Sequence, residues 1–239
     1  MTPHMPGTAV QQYLMIHGIV VPITKEDVSP VIWNAILSGE YEAKEARHVR
    51  TLLRSGDRVL ELGAGMGVIT SLMAQTPGVH IHSFDANPHV VGIARKVLEA
   101  NDIRNVVLQH GLLTAGEGED HIFYLRRDFW MSSMLKEQGP YQSTIPLRSS
   151  NIDAFLAENS INVLVMDIEG AERDLLSQAR LDGVDRVFLE LHDHLYGLTG
   201  VRKIFAAMDR LGFSYDPRGS SGACVLFLKD DGRLRPYSG

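Results

Sequence analysis

The amino-acid sequence predicts an α/β protein built on a mostly parallel seven-stranded sheet with helices on both faces. From residue 58 onward, short apolar runs alternate with segments of helical spacing, which is typical of strand–helix–strand units. The first of these runs ends in a glycine-rich turn, "LELGAGMG". The last two, "GFSYDP" and "ACVLFLKD", are too close for a helix to connect them, so they indicate an antiparallel end of the sheet.

Each element follows from a local pattern. Asn87 followed by Pro88 is typical of a helix cap and first helical position. Ahead of the two C-terminal strands, strands are expected at 58–63, 80–86, 105–109, 163–167 and 186–191. Helices are expected at 67–75, 87–101, 152–159, 172–180 and 199–211. Residues 110–150 interrupt the alternation, and we expect a short β-element and a loop there.

The chain before the sheet is expected to form an appendage. Residues 1–40 contain a β-rich segment at 13–23 and a short helix at 29–39. A second helix follows and ends at Gly56. We therefore predict an N-terminal appendage, 1–40, and a main domain, 41–239.

Composition narrows the class of protein. The chain has 239 residues, 44% hydrophobic and 22% charged, with no apolar tract approaching a membrane span. A net charge of −6 argues against nucleic-acid and anionic-membrane partners, because no basic stripe is present. The single Cys224 can form no internal disulfide, and the first residues lack the order of a signal peptide. We expect a cytoplasmic protein.

The glycine turn predicts a ligand site. Gly63, Gly65 and Gly67 lie where a ligand can approach the backbone at a helix start. A dinucleotide fingerprint would need a glycine at Val68, which counts against a nicotinamide-dependent oxidoreductase. Glu61 would repel a diphosphate but attract an ammonium group. The pattern therefore favours S-adenosylmethionine as the ligand.

The next two strand ends complete the expected cofactor site. Asp85 can accept hydrogen bonds from both ribose hydroxyls, and Gln109 and His110 are placed to contact the adenine. A turn that only allows tight packing is the alternative for the glycines, and for Gln109 and His110 a structural role is equally weighted. The predicted cofactor contacts are Glu61, Gly63, Ala64, Gly65, Gly67, Asp85, Ala86, Asn87, Gln109, His110, Gly111 and Asp167.

Several of these motifs together resemble the FkbM family of S-adenosylmethionine-dependent methyltransferases. The resemblance covers roughly residues 40–215 and includes "LELGAGMG", "SFDANP", "NIDAFLAE" and, most specifically, "MDIEGAE". It implies a Rossmann-like class I methyltransferase fold and methyl transfer to oxygen. It also implies a cofactor mouth lined by Tyr41, Glu42 and Glu45 of "GEYEAKE". The chain departs from the family before residue 40, at Asp85, which is often Glu, and in a shortened, glycine-poor crossover.

The acids after the fourth strand of the sheet are the main catalytic candidates. In this fold the first and fourth strands are neighbours, so Asp167 would face the methyl group as a base or orient the acceptor. A divalent ion held by Asp167 with Glu190 or His192 is an alternative, but an acid–base role for His192 is favoured and no metal is predicted. The catalytic candidates are therefore Asp167, His192 and Glu190.

The remaining candidates have structural alternatives of similar weight. Glu169 is assigned to cofactor or substrate, whereas Glu172 fits a structural role in the first helical turn. Phe129 and Trp130, beside Ser132 and Ser133, suggest a lid or an acceptor platform, although ordinary loop anchoring explains them as well. The substrate candidates are Glu169, Trp130 and Ser133.

These inferences predict an S-adenosylmethionine-dependent O-methyltransferase acting on a hydroxyl of a small molecule or sugar. The choice of oxygen comes from the resemblance. An N-methyltransferase and a catalytically idle cofactor-binding module acting through protein partners stay open as alternatives. Neither a nucleic-acid nor a membrane partner is expected, and a homo-oligomer is left open.

Overall fold

The computed structural model describes residues 13–116 and 118–236. The first twelve residues of the predicted appendage lie outside this range. Within it, no helix is long and apolar enough to cross a membrane.

A seven-stranded sheet forms the centre of the molecule. In chain order its strands are β3 (Arg58–Leu62), β4 (His80–Asp85), β5 (Val106–His110), β9 (Val163–Met166), β10 (Arg186–Glu190), β11 (Phe213–Ser221) and β12 (Cys224–Lys229). Their spatial order is β11-β12-β10-β9-β3-β4-β5, and β12 runs in the opposite direction to the other six strands. The predicted fold class is confirmed. Because the chain returns from β5 to β9 on the far side of β3, the order reverses between β3 and β9, where ligands bind in such sheets.

Helices cover both faces of this sheet. They are α1 (Pro30–Ser38), α2 (Ala43–Leu52), α3 (Val68–Ala74), α4 (Pro88–Ala100), α5 (Ile152–Glu158), α6 (Glu172–Gln178) and α7 (Asp193–Arg210). The first four pack into one apolar core and the last three into a second core on the opposite face. Since both faces are covered, all four residues of β9 are buried.

The predicted appendage shares the core of the main domain over its described part. A hairpin of β1 (Leu14–Ile16) and β2 (Ile19–Val21) packs with α1 against the same core as α2, α3 and α4. The side chain of Asn101, at the end of α4, donates to the Val20 carbonyl and accepts from the Val20 N–H. These contacts attach the hairpin to the end of α4. Residues 13–40 therefore pack into the core of the main domain and do not form a core of their own.

Two predictions from the sequence need correction. Residues 110–150 contain a second, three-stranded sheet of β6 (Leu112–Thr114), β7 (Asp120–Leu125) and β8 (Ser143–Asn151), ordered β6-β8-β7. Most of β8 is exposed or half-buried and contains Pro146, so its strand signal is weak. The last long helix begins at Asp193, not at 199, because non-helical Gly197 separates a first turn from the predicted segment.

A buried ion pair joins the strands at their amino ends, opposite the carboxyl ends of β3 and β9. Arg186, the first residue of β10, donates two hydrogen bonds of 2.6 and 2.7 Å to the carboxylate of Asp57, just before β3. Asn162, just before β9, donates to the same carboxylate. Both charged side chains are about 5% exposed. Burial raises the pKa of Asp57, but the hydrogen bonds from Arg186, the Arg54 N–H and Asn162 outweigh it and lower the pKa below its ordinary value.

We expect the substitution Asp57→Ala to lower the free energy of unfolding by about 3–5 kcal/mol, because Arg186 is left buried without a counter-charge. Urea denaturation at pH 7 measures this. The stabilisation is present above the ordinary carboxyl pKa and is lost as the pH falls through the lower folded value, so the difference between the two proteins shrinks below pH of about 4.

The matched control is Asp120→Ala, which removes an exposed carboxylate paired with Arg148. Its effect should stay within about 0.5 kcal/mol. Equal destabilisation by both substitutions would contradict the role given to the buried pair.

Candidate active site

A cavity of about 740 Å³ opens at the carboxyl ends of β3, β4, β9 and β10. Its other walls come from the start of α2, from β6 and from the loop that follows β7. A volume of this size is typical of small-molecule sites. The cavity therefore lies at the switch in strand order, where the glycine turn was expected to receive a ligand.

The glycine turn is held against two neighbouring strands. The N–H groups of Gly63 and Ala64 both donate to the carbonyl of Phe84, and the Asp167 N–H donates to Leu62. A side-chain carbon at Gly63 would lie 1.8 Å from the Asp167 carbonyl oxygen, and the φ of Gly63 is +91°. Only glycine fits this position, since any other residue would collide with the neighbouring backbone.

Asp85 fixes the turn from the next strand. Its Oδ2 accepts from the Gly65 N–H at 3.0 Å and its Oδ1 from the Asn87 N–H at 2.7 Å. Burial raises the pKa of Asp85 to about 6, against the lowering effect of these two donors. A carboxylate has about four acceptor sites. Asp85 therefore keeps acceptor capacity facing the cavity.

Glu61 is placed differently from the expectation. Its side chain is 2% exposed and does not line the large cavity. It accepts hydrogen bonds from Thr70 of α3, at 2.6 Å, and from Ser83 of β4. Burial raises the pKa of Glu61 to about 7. A direct contact between Glu61 and a cofactor ammonium does not fit this arrangement, because the carboxylate is turned into the packing between β3 and α3.

The structure brings most of the other predicted cofactor residues to the cavity wall. Those that line it are Gly63, Gly65, Asp85, Ala86, Asn87, Gly111 and Asp167. Ala64 and Gly67 of the same turn do not line the cavity. A side-chain carbon added at Gly67 would lie 3.1 Å from the Ala94 Cβ, so Gly67 allows close packing on α4. Gln109 and His110 do not line the cavity, and His110 Nε2 lies 3.1 Å from the Ala86 carbonyl oxygen. Their predicted adenine contact does not fit this placement.

A cluster of acids surrounds His192 on the cavity floor. The imidazole Nε2 lies 3.4 Å from Asp167 Oδ1 and 3.5 Å from Glu169 Oε2, and Nδ1 lies 3.1 Å from Glu172 Oε1. Asp167, Glu169, His192 and Glu190 line the cavity, whereas Glu172 is fully buried. Glu172 also accepts from the N–H groups of the 168–170 turn. It therefore has the structural role expected from the sequence, and it additionally faces His192.

The charged groups of this cluster shift one another's pKa values. Burial and the neighbouring Glu169 raise the pKa of Asp167 well above its usual range. Burial and Glu45 raise the pKa of Glu190 to about 7. Burial lowers the pKa of His192, but Glu169 and Glu172 outweigh it and raise the pKa to about 11. These carboxylates favour the protonated imidazole as long as no other cation lies among them.

The start of α2 contributes the mouth of the cavity. Tyr41, Glu42 and Glu45 all line it, and the Tyr41 ring stacks on Trp130 with a centroid distance of 6.2 Å. Glu42 Oε1 comes within 3.0 Å of the position a side-chain carbon would take at Gly65. Burial raises the pKa of Glu42 to about 8. Its Oε2 is buried and has no hydrogen-bond partner within the described part of the chain.

The loop after β7 forms the opposite lip. Trp130 and Ser132 line the cavity, but Ser133 does not. The Ser133 hydroxyl instead accepts from the Leu135 N–H and donates to Gln138 Oε1. Ser133 therefore anchors the loop, and the predicted substrate contact does not fit this placement.

The same loop is held by Arg126, which sequence reasoning missed. This buried side chain donates to the carbonyls of Met131 and Leu135 at 3.1 and 2.7 Å. Burial lowers its pKa, against the raising effect of Glu169. A charged residue in an otherwise irregular segment was the only available signal.

Together, the strand order and the position of the cavity define the class I methyltransferase fold. The Methyltransferase FkbM domain matches residues 63–215, which is more than half of the chain. The chain belongs to this family, and its cofactor is S-adenosylmethionine.

Other similarities are more distant. The chain is 29% identical over 99 residues to the ribosomal protein L11 methyltransferase of Bacillus subtilis, covering 37% of this chain and 32% of that protein. It is 39% identical over 69 residues to the protein-L-isoaspartate O-methyltransferase of Methanothrix thermoacetophila, covering 28% and 33%. These matches span about a third of each relative.

Among solved structures, a transferase of Pyrococcus horikoshii superposes with a TM-score of 0.50 at 11% identity, covering 90% of this chain and 68% of that one. The M. jannaschii TYW2 structure in complex with AdoMet gives a TM-score of 0.47 at 10% identity, covering 94% and 86%.

We expect Gly63→Ala to abolish cofactor binding and to destabilise the fold, because its side chain would overlap the Asp167 carbonyl. Thermal denaturation and calorimetric titration with S-adenosylhomocysteine measure the two effects. Gly92→Ala is the matched control: it lies in α4 with no atom within 4 Å of the added carbon. That substitution should raise stability by about 0.5–1 kcal/mol. Unchanged binding in Gly63→Ala would contradict the close approach of the two strands.

Proposed function

We propose that the protein transfers the methyl group of S-adenosylmethionine to a hydroxyl oxygen of a small molecule or sugar. The observation that carries this proposal is the shared cavity: the Gly63–Gly65 turn and the carboxylate of Asp167 line one continuous space. A cofactor on the turn therefore has an acid beside it on the cavity floor. A cytoplasmic location remains part of the proposal.

The cofactor is oriented by three groups of the wall. Asp85 accepts from the ribose hydroxyls, and the backbone of Gly63 and Gly65 allows the methionine part to approach closely. The ammonium group is drawn to Glu42, whose buried Oε2 has no partner among the residues described here. This assigns to Glu42 the role that the sequence had given to Glu61.

The reaction is an in-line displacement. The acceptor oxygen forms a bond to the methyl carbon as the bond from that carbon to the sulfonium sulfur breaks, leaving S-adenosylhomocysteine as a neutral thioether. The hydroxyl proton passes to a carboxylate of the cluster, Asp167 or Glu169. The site contributes by aligning oxygen, carbon and sulfur and by holding an acceptor for the proton.

The charge of the wall supports a small, non-anionic acceptor. Most charged side chains that line the cavity are carboxylates: Glu40, Glu42, Glu45, Asp85, Glu119, Asp167, Glu169, Asp174 and Glu190. Lys44 is the lining residue with a permanent positive charge within the described chain. A phosphate backbone entering this space would be repelled. We therefore favour a sugar or other neutral hydroxyl compound over RNA, although relatives that act on other acceptors share the family's cofactor fold.

Calorimetric titration with S-adenosylmethionine and S-adenosylhomocysteine tests the cofactor assignment. We expect micromolar binding that Asp85→Asn weakens about 10–100-fold, because hydrogen bonds to a charged acceptor are lost. Glu99→Gln, an exposed carboxylate of α4, should bind like the wild type. If neither compound binds the wild-type protein, the proposed function fails.

Methyl-labelled cofactor offered with separate pools of hydroxyl compounds, RNA and protein tests the acceptor. We expect label in a base-stable ether of a small molecule or sugar. The substitution Asp167→Asn should lower kcat about 10²–10⁴-fold. The exposed Asp102→Asn variant should keep full activity. Label found only in RNA or protein would exclude the small-molecule acceptor.

A further inference from the structure

Three side chains of metal-ligating type meet on the cavity floor. Asp167, Glu190 and His192 each offer one ligand atom, and these atoms all lie within 4.8 Å of one another. The parallel register pairs Met166 of β9 with Leu189 of β10, so the next residues, Asp167 and Glu190, lie side by side. The sheet therefore fixes the relative positions of these two carboxylates, as a preorganised site requires.

A buried carboxylate lies behind the imidazole. His192 is only 4% exposed, and its Nδ1 lies 3.1 Å from Oε1 of the fully buried Glu172. Glu172 is itself held by the N–H groups of Ile168 and Gly170. A histidine that binds a metal typically presents its second nitrogen to such a carboxylate, which fixes the ring and leaves the first nitrogen for the ion. Here that first nitrogen, Nε2, faces Asp167.

The acids of the floor lack a sufficient counter-charge. Asp167 Oδ1 is shielded from water and has no hydrogen-bond partner within the described chain. Several carboxylates this close repel one another, and the single imidazole between them offsets only part of this repulsion. Two carboxylates and one imidazole form a donor set that suits divalent first-row transition metals.

We propose that Asp167, Glu190 and His192 bind a divalent first-row transition metal ion that holds the acceptor hydroxyl oxygen in front of the methyl group. The inference rests on the proposed function. The ion acts as a Lewis acid that makes the bound hydroxyl more acidic. Glu169, which stands outside the three ligands, takes the hydroxyl proton as the oxygen–carbon bond forms and the carbon–sulfur bond breaks.

The test is titration of the chelator-treated full chain with Mn²⁺ alone, followed by the electron paramagnetic resonance signal of free Mn²⁺. We expect one tightly bound ion per chain. The substitutions Glu190→Gln and His192→Gln should each weaken it at least tenfold, and Glu172→Gln about tenfold through loss of the ring's support. The matched controls are Asp85→Asn, which should lose cofactor affinity and keep Mn²⁺, and Glu99→Gln, which should keep both. Circular dichroism checks that each variant is folded.

The outcomes separate this inference from the proposed function. Stoichiometric Mn²⁺ binding lost in Glu190→Gln, together with methyl transfer that requires added metal, supports it. Absence of a bound ion, or binding that Glu190→Gln and His192→Gln leave unchanged, overturns it. Methyl transfer at full rate in chelator would overturn the metal and leave the methyltransferase intact. Failure of S-adenosylhomocysteine to bind, with Mn²⁺ still bound, would instead overturn the proposed function.

Discussion

The site depends on one close approach between two backbones, that of Gly63 to the carbonyl of Asp167. Because β3 and β9 are parallel neighbours, the turn after the first strand and the acid after the fourth leave the sheet at the same height. A side-chain carbon at Gly63 would lie 1.8 Å from the Asp167 carbonyl oxygen, so the two backbone segments can come this close only at a glycine. The distance between a cofactor on the turn and the acid beside it is therefore set by the hydrogen bonds of the sheet. In-line displacement requires such fixed alignment.

A second layer of buried groups holds the side chains that this approach brings together. Glu172 accepts from the N–H groups of Ile168 and Gly170 and lies 3.1 Å from His192, so it holds the turn that carries Glu169 beside the imidazole. On the opposite lip, Arg126 holds the loop that carries Trp130 by its carbonyl oxygens. Neither group lines the cavity. Both show that the shape of the site is maintained by polar contacts one layer behind its surface.

The parts of the fold that follow from local pattern could be predicted from the sequence. Asn87 caps α4 as its position before Pro88 indicates, and the apolar run of β9 delivers Asp167 to the sheet edge. The pattern predicted that Glu61 lies at a strand end but not that Thr70 and Ser83 would engage its carboxylate, since those contacts come from other elements.

Contacts between distant segments were harder to predict. The family resemblance placed Glu42 at the cofactor mouth, but no local pattern shows that it lies against Gly65. The pairing of β7 with β8 joins residues with little strand signal. Ser132 and Ser133 are neighbours in the chain, yet only the first faces the cavity. In each case the fold of the whole chain, not the local pattern, decides which side chain reaches the site.

Favourable and unfavourable charge interactions lie at opposite ends of the strands. Asp57 and Arg186 neutralise each other at the amino ends, whereas Glu42, Asp167 and Glu190 lie close together at the carboxyl ends with raised pKa values. The repulsion at the carboxyl ends opposes folding, and the ion pair at the amino ends helps to offset it. Any cationic ligand that enters the cavity relieves this repulsion and so binds the folded chain selectively. The thermal stability of the protein therefore depends on the concentration of its ligands, and a cell depleted of them would contain a less stable protein.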